Sequence, residues 1–163
     1  MSKKILVVDY EKCSGCRMCE LVCSWRHKKE FNPAKAAIQI VTMREKSIDI
    51  PIICQQCDKA MCQEVCQPKA ISYNIEYHAY VVDEKKCIGC KMCISACPVG
   101  AMNFDSDKGV SIKCDLCQGY PQCVQYCPMG ALLYIEPEKA NLKKKYIVAE
   151  KFFSEFLSGR RST

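Results

Sequence analysis

What this chain lacks narrows it first. No apolar run approaches the ~20 residues of a membrane-spanning helix. The opening MSKKILVVDYEKC holds only four consecutive apolar residues, Ile5 to Val8, before acid returns. That is too short for the apolar centre of an export signal, and no twin arginine is present. Glycine patterns of the GxGxxG or GxxxxGK[ST] type are missing, and no Ser/His/Asp constellation is visible. Histidine occurs twice (His27 and His78), tryptophan once (Trp25), and aromatic residues make up 9%. The 49% hydrophobic fraction counts the thiols. Ordinary core residues are therefore scarce, and something besides apolar packing must hold the chain together.

Cysteine is what the chain has instead: 16 in 163 residues. That density means a disulfide scaffold or a metal protein. With no export signal the chain is expected in the cytoplasm, where thiols stay reduced, which disfavours disulfides. The cysteines form four groups with none left over. Group one is Cys13, Cys16, Cys19, Cys23, spaced C-x2-C-x2-C-x3-C. Group two is Cys54, Cys57, Cys62, Cys66, with x4 in the middle. Group three, Cys87, Cys90, Cys93, Cys97, has the spacing of group one. Group four is Cys114, Cys117, Cys123, Cys127, with x5 in the middle.

The repetition extends past the thiols. VVDYEKC (7–13) parallels VVDEKKC (81–87), and CSGCRMC parallels CIGCKMC. The tails CQPKAI, CPVGAM and CPMGAL place Ala70, Ala101 and Ala131 four positions after a final Cys. One structural unit is used repeatedly. Short β-like runs precede the groups at Ile5–Val8, Ile52–Ile53, Tyr80–Val82 and Val110–Ile112. Others follow at Ile71–Ile75, Met102–Phe104 and Leu132–Ile135. The x3 spacing before each final Cys suits a helical turn. IQIVTMREKSIDIPII (38–53) reads as a hairpin.

Zinc asks for four ligands in a tetrahedron, usually two CxxC-like pairs joined across a longer loop. Three cysteines at C-x2-C-x2-C instead wrap one object and offer it three thiolates. C-x2-C-x2-C-x3-C followed by Pro is the bacterial ferredoxin signature, whose fourth Cys ligates the other cluster. Groups one and three match in spacing, and group three also has Pro98. Cys23 is followed by Ser24 and Trp25, and Cys66 by Gln67, so the shielding proline is missing or displaced there. Gly15 and Gly89 are expected to let the loops pass close to their clusters. Four [4Fe–4S] clusters are expected, with a chain of zinc knuckles as the competing metal reading. A visible spectrum separates the two. Each oxidised cluster with four thiolates carries about −2. Four of them offset the formal +6, so the basic balance does not imply nucleic acid. Arg17, Lys59, Lys91 and Lys113 lie in or beside the loops, either tuning potentials or as solvated surface charges. Trp25 is expected to cover a cluster from water, and His27 to be a surface or hydrogen-bonded residue.

From about residue 4 to 135 the pattern resembles the four-cluster, ferredoxin-like electron-transfer subunits. These accompany molybdopterin and tungstopterin oxidoreductases, formate dehydrogenase-linked hydrogenases and carbon monoxide dehydrogenases. KCDLCQGYPQCVQYCPMGAL (113–132) and CSWRHKKEFNP (23–33) resemble the small iron–sulfur subunits beside tungsten-containing aldehyde oxidoreductases. The fourth-Cys rule allows groups to pair as two with three and one with four, or as one with two and three with four. The resemblance implies the first, nested version. It would place Cys13, Cys16, Cys19 with Cys127, and Cys114, Cys117, Cys123 with Cys23. The inner pair would be Cys54, Cys57, Cys62 with Cys97, and Cys87, Cys90, Cys93 with Cys66.

The fold expected is thus α+β: two bacterial-ferredoxin-like lobes, nested, with short hairpins. The outer lobe takes 1–35 plus 106–142, the inner lobe 36–105. Residues 143–163, with apolar positions at Ala149, Phe152, Phe153, Phe156 and Leu157, read as an amphipathic C-terminal helix. The resemblance implies a non-catalytic subunit with no membrane span of its own. It would relay low-potential electrons between a catalytic oxidoreductase subunit and ferredoxin or another redox subunit. A tungsten-type aldehyde oxidoreductase is the favoured partner. A formate dehydrogenase, hydrogenase or carbon monoxide dehydrogenase is the alternative, and a free-standing polyferredoxin a third.

Overall fold

The computed structural model describes residues 3–141; the expected C-terminal helix lies outside them. Every short β-like run expected from the sequence lies in or at the edge of a strand. β1 (Ile5–Val8) precedes α1 (Met18–Lys28), and β2 (Gln39–Met43) and β3 (Ile48–Ile52) follow. Next come α2 (Met61–Glu64), β4 (Ile71–Asn74), β5 (Ala79–Val82) and α3 (Met92–Ser95). The series ends with β6 (Asn103–Asp105), β7 (Val110–Ile112), α4 (Gln122–Gln125) and β8 (Leu132–Ile135).

The strands form four antiparallel two-stranded sheets. Three are local hairpins: β2–β3, β4–β5 and β6–β7. The fourth joins the distant β1 and β8, with Ile5 opposite Ile135 and Val8 opposite Leu132. That pairing closes the chain on itself and brings group one beside group four. The β4–β5 hairpin, Ile71 opposite Val82, links group two directly to group three. The architecture is α+β with short hairpins, as the sequence implies.

Each group supplies one helix. Cys62, Cys93 and Cys123 sit in α2, α3 and α4, and Cys66, Cys97 and Cys127 fall just past their ends. Pro98 and Pro128 follow two of those cysteines, and a residue before proline is pushed away from helical geometry. Cys23 has no such stop. α1 runs on to Lys28, ending at Lys29 in the left-handed conformation (φ 59°), whereas α2, whose Cys66 likewise lacks a following proline, stops at Glu64. Ser24, fully buried, fixes the return: its Oγ donates to the Leu21 carbonyl and accepts from Asn32 N–H.

Two apolar cores result. One gathers Leu6, Ala36, Ala37, Ile38, Ile40, Ile53, Ile112, Leu116 and Leu132 with Cys19, Cys23 and Cys123. The other holds Ala60, Ile71, Tyr80 and Met102 with Cys93. Residues 36–53, expected with the inner lobe, thus bury their apolar side chains against α1 and the β1–β8 side. The β2–β3 hairpin lies over the group-one loop. A Cβ on Gly15 (φ +66°) would collide with the Asp49 carboxylate, and one on Gly89 (φ +70°) with the Gly109 carbonyl.

Candidate metal centres

All 16 cysteines are free, and the structure brings them together in fours. Cys13, Cys16, Cys19 and Cys127 line one cavity, which we call site one. Site two is lined by Cys54, Cys57, Cys62 and Cys97. Site three is lined by Cys66, Cys87, Cys90 and Cys93, and site four by Cys23, Cys114, Cys117 and Cys123. In each, three thiols come from one loop and the fourth from another group. Much of the remaining wall is apolar, with Ile40, Pro51 and Leu132 at site one and Leu6, Ile38, Ile53 and Leu116 at site four, but Arg17, His27, Ser111 and Lys113 also line one site each.

Backbone and side-chain donors point at the sulfurs. Ala70 N–H donates to Cys66 Sγ and Ala101 N–H to Cys97 Sγ, both at 3.3 Å. These are the alanines that recur four positions after a final cysteine. Behind Cys23 the helix continues, so Ala37, brought back by the turn after α1, donates to its Sγ at 3.3 Å. Ser111 Oγ lies 3.1 Å from Cys93 Sγ, and Lys113 Nζ donates to Cys54 Sγ at 2.8 Å. Donors of this kind favour thiolate and orient it.

Burial acts against the thiolate at several other positions. Burial, with Glu20 adding to it, pushes the Cys19 thiol up to about 12. Burial takes Cys117 up to about 11, despite a backbone N–H donor. Burial likewise pushes the Cys114 and Cys123 thiols up. At site four Cys23, Cys114, Cys117 and Cys123 are all disfavoured as bare anions, chiefly by burial, and a cationic iron–sulfur core satisfies such a donor set. The residues present fit the group.

Group four departs from the others locally. Leu116, Cys117 and Gln118 take consecutive positive φ values (57°, 48°, 59°), closed by Gly119. Asp115 steadies this turn by accepting from Cys117 N–H at 2.8 Å. His27, carried by the extension of α1, places Nε2 3.4 Å from Asp115 Oδ1 and 3.6 Å from Cys117 Sγ. Burial holds its imidazole below the ordinary range, Asp115 opposing. His27 is hydrogen-bonded, as expected, and one of its partners is a sulfur of site four. Trp25, by contrast, is 47% exposed and stacks on Phe31 with ring centroids 4.9 Å apart. The expectation that it covers a cluster is corrected, because the continued helix turns it outward.

The sites are physically chained. Sites one and four share α1, where Cys19 and Cys23 lie one turn apart, and α4, whose end separates Cys123 from Cys127. Sites two and three share α2 and α3 in the same way. Sites two and four meet through Gln56, buried between Cys54 and Cys57. Its Nε2 donates to the Cys114 carbonyl at 2.7 Å, and its Oε1 accepts from Tyr80 N–H at 2.9 Å. Lys113, adjacent to Cys114, crosses the same junction to Cys54. A cavity of about 250 Å³ opens beside it, lined by His27, Lys28, Lys35, Glu84, Lys113 and Asp115 among others. Gln56 and Lys113 were not legible as junction residues, since their partners are nearly sixty positions away.

Comparison with known proteins points to the same class of cofactor. Residues 45–136 match the 4Fe-4S dicluster domain, and residues 10–26 a 4Fe-4S binding domain. The electron transport protein HydN of Escherichia coli K12 is 34% identical over 134 residues, covering 70% of this chain and 75% of that protein. The polyferredoxin-like subunit of an aliphatic sulfonate oxidoreductase from Pyrococcus furiosus is 37% identical over 112 residues, covering 69% of this chain and 64% of that subunit. Among solved structures, a chain of the active site complex BamBC of benzoyl coenzyme A reductase superposes with a TM-score of 0.50. It is 28% identical, over 94% of this chain and 90% of that one. With the cysteine sites in place, these matches make the chain a member of the 4Fe-4S dicluster family of ferredoxin-like electron-transport proteins.

Proposed function

We propose that sites one to four each hold a [4Fe–4S] cluster, and that the chain is a non-catalytic electron-transfer subunit. The observation that carries this is the set of four cavities, each walled by four thiols in the crossed pattern. A [4Fe–4S] cluster supplies a one-electron couple. The chain's own residues hold it, aim donors at its sulfur ligands and keep water out. The inner lobe is formed around sites two and three and the outer around sites one and four. The shared helices and the Gln56–Lys113 junction support the order one, four, two, three, with sites one and three at the ends.

The catalytic chemistry belongs to a partner. A tungsten-type aldehyde oxidoreductase subunit is the favoured partner, supported by the short group-four loop and the stretch after Cys23. Similarity to subunits named for an aliphatic sulfonate oxidoreductase and a benzoyl coenzyme A reductase complex supports an oxidoreductase partner in general. The other end would serve ferredoxin or a further redox subunit. Among the described residues no helix is long and apolar enough to cross a membrane.

Iron and sulfide analysis of anaerobically purified protein tests the core of this reading. Roughly sixteen irons per chain are expected, four for each site, with a brown colour that dithionite bleaches. Zinc, or far fewer irons, overturns it. The crossed pattern is tested by Cys127→Ala, which should disturb the cluster held by the group-one loop and leave the group-four cluster intact. Isolation of the native complex and identification of its large subunit tests the partner.

A further inference from the structure

Of the 16 cysteines only Cys16 and Cys90 are exposed. They belong to sites one and three, the two ends of the proposed chain of centres, and their surroundings differ. Around Cys90, Ile88 is 71% exposed and Met92 54%. Four lysines flank them: Lys69 next to the wall residues Pro68 and Ala70, Lys85 and Lys86 leading into Cys87, and Lys91 beside Cys90. The β4–β5 ladder continues through Asp83 N–H to the Ala70 carbonyl, 2.7 Å, which sets Lys69 beside the 83–86 turn. The neighbouring acids are already engaged: Glu84 by Lys28 and Lys108, Asp83 by Lys86. Among the described residues no carboxylate lies within ion-pair reach of Lys69 or Lys85.

The internal repeat gives the matching positions at site one. Ser14 stands for Ile88, Glu11 for Lys85, and Gly130 for Lys69. Lys12 pairs with Asp9 and Arg17 with the buried Glu20, and Asp49 lies against Gly15. Met18 (41% exposed) and Met129 (52%) give site one apolar rim residues too; what sets site three apart is Ile88 in place of Ser14 and lysines in place of Glu11 and Gly130.

We infer that the rim around Cys90 is the docking surface for a small acidic one-electron carrier protein, with Ile88 and Met92 as the apolar centre. The inference rests on the four-cluster reading and assigns direction to it: the catalytic subunit takes the site-one end. In the exchange the carrier gains one electron as this protein loses one, or the reverse. No proton or atom moves. Charge on such a rim acts mainly on the association rate.

The test uses dithionite-reduced holoprotein mixed in a stopped-flow instrument with an oxidised acidic ferredoxin at low ionic strength. The triple variant Lys69→Glu, Lys85→Glu, Lys86→Glu should lower the second-order rate at least ten-fold and flatten its salt dependence. A charge-matched control, Lys4→Glu, Lys12→Glu, Lys139→Glu, should stay within two-fold of wild type. Ile88→Asp, a single exposed change that keeps every lysine, should slow the rate several-fold and keeps the test usable if the triple variant misfolds. Equal slowing by the control, or unchanged rates in both site-three variants, overturns the inference. Loss of the large subunit on co-purification of Ile88→Asp also overturns it, since the catalytic partner would then sit at this end. Iron content measured on the same samples separates these outcomes from failure of the four-cluster reading.

Discussion

Lys113 shows how much one side chain can decide. Its Nζ sits 2.8 Å from Cys54 Sγ and 5.6 Å above the Tyr80 ring, on the boundary between sites two and four. A fixed cation there stabilises the more negative, reduced state of whatever Cys54 ligates. Lys113→Met should lower the potential of one cluster by on the order of 60 mV, a ten-fold change in a one-electron equilibrium. Lys113→Arg should restore most of it. A redox titration followed by electron paramagnetic resonance reads both, and an unshifted potential in Lys113→Met removes the role. The sequence placed this lysine beside a loop but left it between tuning and mere solvation. The contact that decides is to a residue 59 positions away.

At the scale of elements, the decisive feature is a helix that does not stop. Proline follows Cys97 and Cys127 just past the short α3 and α4, whereas α1 continues through Ser24 to Lys28. The extra turn delivers His27 to site four and Lys28 to the junction. Ser24→Pro would remove a helical N–H bond and clash with the preceding turn, at a cost of about 3 kcal/mol. It would also break the two bonds of the Ser24 hydroxyl. A fall of that size in denaturant-unfolding free energy, with Trp25 emission altered, is expected; a change under 1 kcal/mol would mean that α1 is not stabilising as described. The repeats, the strand runs and the hairpin at 38–53 were all legible, because each is written in local periodicity and spacing. The missing proline was legible as well, but not the length of α1. That a helix would run on, and that Ala37 would then serve Cys23 as Ala70 serves Cys66, depends on where the chain returns in space. The burial of residues 36–53 against α1 escaped for the same reason: periodicity tells which side chains are buried, not against what.

For the molecule as a whole, the lobes are tied by charge. Lys28 Nζ lies 2.9 Å from Glu84 and 3.1 Å from Asp105, whose side chain is 1% exposed. Burial would raise the Asp105 carboxyl, but Lys28 and the backbone N–H groups of Lys108 and Asp107 outweigh it and hold it below the usual range. A carboxylate so depressed contributes stability that is present above its ordinary value, near 3.9. That stability is lost as pH falls through the lower folded value. Lys28→Met leaves the buried charge unpaired and should cost about 3 kcal/mol at neutral pH. Its deficit relative to wild type should shrink below about pH 4, as Asp105 takes a proton. Paired melts of the two proteins across that range check the sign. A deficit independent of pH would assign the loss to packing alone.

The crossed walls of the four cavities also set a timetable. Cys13, Cys16 and Cys19 leave the ribosome early, yet the thiol that completes their cavity, Cys127, comes from near the far end of the described chain. At ordinary elongation rates that interval is roughly 5–20 s. Throughout it the nascent chain carries a three-sulfur cup with no fourth wall, exposed to stray metals and oxidants. The early thiols of site one therefore wait without their fourth wall until nearly all of the described chain has been made.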